Sequence, residues 1–82
     1  DEILFSKHAS KRLETRQIDI TDEQRVRLQD AANQAREKGM RESLVMVDNL
    51  AFIVNVRNNT VITAVNDTKR AVFTNIDGAI IN

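Results

Sequence analysis

The side chains most able to do chemistry are His8, Arg12 and Arg16. They are spaced by four, so on a helix they lie on nearly one face. A neutral imidazole beside guanidinium groups has the equipment for RNA cleavage, with His8 as general base and the arginines clamping phosphate. The plainer reading is preferred: His8 caps or packs locally, while Arg12 and Arg16 pair with carboxylates such as Glu14, Asp19 or Glu42. A lone histidine without a second acid or base is weak ground for catalysis.

Other chemistries fare worse. Asp48, Asp67 and Asp77 fall at expected turns, where Asp is favoured for its local hydrogen bonds. They have no convergent spacing and no His partner, so no metal site is expected. There is no Cys, which removes disulfides, zinc knuckles and thiol nucleophiles. There is no Pro and only two Gly, so a glycine-rich phosphate loop is removed as well. Thr60, Thr63 and Thr74 have no base at a recognisable offset. No cofactor is implied.

The elements that would position these residues fit one domain over 1–82, of 9.3 kDa. Lys plus Arg equals Asp plus Glu at 12 each, so the chain lacks the long-range field that gathers nucleic acid or anionic membrane. The three aromatics are all Phe, too few for a base-stacking platform. No apolar run approaches the ~20 residues of a membrane span.

Charge sits mostly in the first part: residues 1–43 carry nine of the twelve cations and nine of the twelve carboxylates. That part has helical period, and the second part is β-branched and alternating. A first helix is expected over about 6–16, opened by Ser6 and striped by Phe5, Ala9 and Leu13. A second is expected over about 21–39. Thr21 and Gln24 have capping-box spacing there, Leu28, Ala31, Ala32 and Ala35 form the apolar stripe, and Gly39 is the stop. From Ser43 the period is two. Strands are expected at 44–47, 50–57, 60–66 and 71–75, with turns at Asp48-Asn49 and Asn58-Asn59. Residues 79–81 read as a short apolar tail. The expected fold is therefore α+β, with two N-terminal helices packed on one face of a four-stranded antiparallel meander sheet over about 43–76.

A two-residue turn at Asn58-Asn59 would pair Val56 with Val61, Val54 with Thr63 and Phe52 with Val65. Those pairs, with Val45 and Val47, make the core face. The opposite face then carries Leu44, Met46, Ile53 and Ile62, which helices on one side would leave exposed unless Ile80 and Ile81, or a partner, cover them in part. These four, with Phe73 and Asn75 on an expected edge strand, are the candidate partner-binding residues.

Several separated blocks resemble one family. They are Phe5-Ser6-Lys7-His8-Ala9, Arg12-Leu13, Arg16, Ile18, Ser43-Leu44-Val45, Ile53-Val54-Asn55-Val56 and Thr60-Val61-Ile62-Thr63-Ala64. The most telling is Val72-Phe73-Thr74-Asn75-Ile76-Asp77-Gly78. In order and spacing they are similar to the small bacterial flagellar operon protein family, whose genes lie among those for the hook cap and hook protein. The resemblance implies a role in flagellar assembly, at the hook or rod, with no known enzymatic activity. The partner it implies is a hook or rod assembly protein, or a second copy; neither nucleic acid nor membrane insertion is expected. It implies a cytoplasmic protein, with or without attachment to the flagellar apparatus. A shorter likeness, over His8-Ala9, Arg12 and Arg16-x-Ile18, is to RelE/BrnT-type toxin ribonucleases and would imply RNA binding or cleavage at His8, Arg12 and Arg16.

Overall fold

The computed structural model describes residues 2–66 and 78–81. Their order is β1 (Leu4–Phe5), α1 (Lys7–Thr15), α2 (Asp22–Glu37), β2 (Glu42–Val47), β3 (Leu50–Asn55), β4 (Thr60–Val65) and β5 (Gly78–Ile81).

Both helices begin where their caps require. The Ser6 hydroxyl accepts from the Ala9 amide at 3.0 Å, meeting one orphan donor of the first turn. Thr21 and Gln24 exchange bonds in a complete capping box, at 3.0 and 3.1 Å. Both also end alike. Gly39 takes φ 75°, and Met40 donates back to the Ala35 carbonyl at 3.0 Å. Gln17 takes φ 54°, and Ile18 donates to the Leu13 carbonyl at 2.8 Å. The first stop therefore holds a residue with a Cβ in a conformation that favours glycine.

The sheet corrects the expected antiparallel meander. Among the described residues it has five strands in the order β1-β4-β3-β2-β5. The β2–β3 and β3–β4 pairs are antiparallel, as a meander demands. The edges are not: β1 lies parallel to β4, and β5 lies parallel to β2. Neither edge was expected. Leu4–Phe5 is too short to show a period, and the tail at 79–81 proves to be a strand. β4 and β5 run the same way with β3 and β2 between them, so a crossover rather than a hairpin joins them. The strand expected at 71–75, with Phe73 and Asn75, lies outside the described residues.

The turn after Val47 is the expected two-residue loop, with Val47 opposite Leu50 and Asp48 at φ 56°. The Asn58-Asn59 turn is not. Asn55 opposes Thr60, so residues 56–59 form a four-residue loop in which Asn59 takes φ 51°. The favoured two-residue loops need positive φ at the first central position, which Asp48 supplies in the preceding turn and Asn58 does not supply here. Farther along, Val54 opposes Val61 but Ile53 opposes Thr63, which leaves Ile62 as an extra residue in β4. Beyond that bulge Ala64 faces the core, where Thr63 and Val65 were expected.

The division into two faces survives the change of register. Both helices cover the side that carries Val45, Val47, Phe52, Val54 and Val61, through Ala9 on α1 and Leu28, Ala31, Ala32 and Ala35 on α2. The three alanines let α2 approach closely, and they and Leu28 are fully buried.

Candidate functional site

Two surfaces gather the residues singled out by sequence. The first is the sheet face turned away from the helices. The alternation of β2 and β3 puts Leu44, Met46 and Ile53 on it, and the bulge adds Ile62. The expectation that all four stand exposed is corrected: Leu44, Met46 and Ile62 are half-buried, and Ile53 is only 9% exposed. The reason lies in the strand order. β3 is central, so Ile53 has neighbours on both sides, and β5 flanks β2, so Leu44 and Met46 are not at an edge. Leu4, unremarked in the sequence, is 61% exposed on the edge strand beside Thr60.

The second surface is the outer face of α1. The helix brings His8, Arg12 and Arg16 together, as their spacing requires. Arg12 Nε donates to His8 Nε2 at 3.4 Å, and Arg16 Nη1 donates to Asn66 Oδ1 at 3.4 Å. The three line an open groove of about 500 Å³ with Lys11 and Thr15. His8 is exposed and its bond is local, to Arg12, while the Arg16 bond goes to Asn66. Lys11 and Thr15 were missed by sequence reasoning, although Lys11 lies three residues from His8 and would have been found by extending the same helical face. Asn66 lies just past the end of β4 and had no local signal.

The carboxylate nearest to a defined role is Asp48, and that role is structural. It accepts from Gln24 Nε2 and from Arg27 Nη1, each at 3.0 Å, tying α2 to the β2–β3 turn. These bonds, the Gln24 amide first and then the Arg27 guanidinium, hold its carboxyl below the usual range. Among the described residues no group of His, Asp and Glu side chains could hold a metal ion. None of the described helices is long and apolar enough to cross a membrane.

These elements define a small α+β domain with a sheet face that the two described helices leave uncovered and a cationic helix groove. The profile of a family described as "Putative flagellar" matches residues 60–81, which span β4, β5 and the chain between them, and this supports a flagellar protein family for the chain. The Val72–Gly78 block lies within that match. No curated protein and no solved structure matches, so the likeness to RelE/BrnT-type ribonucleases finds no support.

Proposed function

We propose that this chain is a non-enzymatic protein–protein interaction module in flagellar hook or rod assembly. It works from the cytoplasm, at the flagellar apparatus. The observation that carries the reading is the sheet face bearing Leu44, Met46 and Ile62, which the chain's two described helices leave uncovered because both pack on the opposite side. The flagellar match over residues 60–81 supplies the biological setting and includes β4, the strand on which Ile62 sits.

Half-buried apolar side chains at the centre of a sheet still offer driving force. Completing the burial of Leu44, Met46 and Ile62 would contribute about 1 kcal/mol each. A hook or rod assembly protein is the occupant this reading favours. The test is motility in a strain that lacks the protein, combined with light scattering on the purified chain. Defective swimming with a monomeric chain supports a heterologous flagellar partner. A concentration-dependent dimer that Met46→Asp dissociates would assign the face to self-association. Normal swimming in the deletion strain would remove the assembly role.

A further inference from the structure

We propose that the groove along α1 binds a carboxylate-rich peptide segment of a partner protein. This site is distinct from the sheet face and does not depend on that face being a docking surface.

Three cations, Lys11, Arg12 and Arg16, line the groove together with His8 and the Thr15 hydroxyl, and no carboxylate is in its described lining. Over the whole chain cations and carboxylates balance, so this concentration of one sign is local. Arg12 and Arg16 are four apart, a like-charge arrangement that destabilises a helix unless an anion is present. Glu14 lies between them in sequence and therefore points to another side of α1. Two long, exposed bonds orient the arginines: His8 takes the Arg12 Nε–H and Asn66 takes one Arg16 Nη1–H, each at 3.4 Å. The remaining guanidinium donors are the ones that form paired bonds to carboxylate oxygens.

Spacing and composition select the class of ligand. Arg12 and Arg16 are separated by one helical turn, about 6 Å along the axis. Alternate residues of an extended peptide project to one side at intervals of about 6.6 Å. Acidic side chains at every second position would therefore meet successive arginines, with Lys11 beside the first. A nucleic acid strand is the poorer fit. Among the described residues neither Phe lines the groove: the Phe5 ring lies under the Arg25 guanidinium, and Phe52 is buried in the core. The described lining therefore offers bases no platform on which to stack. A neutral chain also offers no wider field to hold a polyanion.

The test is fluorescence anisotropy of the full chain with a labelled peptide of alternating glutamate and alanine at low salt. The expected result is saturable binding that added salt weakens, with a loss of about tenfold for either Arg16→Gln or Lys11→Gln, as removal of one charged contact predicts. Both positions are exposed, so unfolding midpoints should stay near that of the parent chain. The glutamine version of the peptide should not bind. Equal binding of the glutamine peptide, or binding unmoved by both substitutions, would overturn the proposal. Tighter binding of a single-stranded RNA of equal charge, lost in the same variants, would also overturn it and give the groove to nucleic acid.

Discussion

The hydroxyl of Ser6 donates to the carbonyl of Ile62 across 3.0 Å, joining the cap of α1 to the extra residue of the bulge in β4. The same oxygen accepts from the Ala9 amide, and the Ser6 amide donates to the Val61 carbonyl at 2.9 Å. One residue thus starts the helix, satisfies a carbonyl at the bulge and holds the two elements together. Ser6→Ala removes the first two functions at once. A lost cap costs about 1 kcal/mol, and an unpaired, partly buried carbonyl costs about as much again. The expected loss is about 2 kcal/mol by urea unfolding. Thr21→Ala, which removes a cap alone, should cost about half as much.

Asp48 makes stability depend on pH. Its folded carboxyl titrates below the ordinary value of 3.8, because Gln24 and Arg27 favour the charged form. Its contribution is therefore complete above that value and is lost as pH falls through the lowered one. Asp48→Asn keeps a residue type that tolerates the turn's φ of 56° but removes the charge. The variant should be less stable than the parent chain at neutral pH. The difference should shrink in acid below the carboxylate range, as followed by thermal unfolding at both pH values.

Gln17 sits in a left-handed conformation at the end of α1 with φ 54°, where glycine is the usual occupant. Gln17→Gly relieves that strain but adds freedom to the unfolded chain. The two effects oppose each other, and relief at a well-formed stop should be the larger. A gain of up to about 1 kcal/mol in unfolding free energy is expected. A loss would mean that the Gln17 side chain stabilises the turn.

The two sheet faces should respond differently to substitution. Phe52 is 1% exposed beneath the helices, so Phe52→Ala should cost about 3–5 kcal/mol. Met46 lies on the other face and is half-buried, so Met46→Asp should leave a cooperative unfolding transition at a much smaller cost. Similar losses for the two variants, measured by urea titration, would mean that both faces are core.

Local signals were readable in the sequence and long-range ones were not. The box of Thr21 and Gln24, the stripe from Leu28 to Ala35 and the stop at Gly39 each lie within a few residues, and all are where their spacing puts them. Parity along β2 and β3 was enough to assign Val45 and Phe52 to one side and Met46 and Ile53 to the other, because side chains alternate whatever the partner strand does. The bulge at Ile62 escaped, since it is held by Ser6, 56 residues away in the chain. The edge strands escaped for a related reason. Parallel pairing of Leu4 with Thr60, or of Ser43 with Gly78, needs distant partners and leaves no turn motif to read. For the groove, the spacing of His8, Arg12 and Arg16 was sufficient to bring them together. That Arg12 bonds His8 and Arg16 bonds Asn66 could be learned only from side-chain placement.

The most direct measurement of the central claim is quantitative co-purification from motile cells, comparing the parent chain with Met46→Asp and Ile62→Asp. The account predicts that the parent chain retains a hook or rod assembly protein and that both variants lose it while unfolding as cooperatively as the parent. Retention of that protein by folded Met46→Asp and Ile62→Asp chains, or recovery of no flagellar protein by the parent chain, would contradict it.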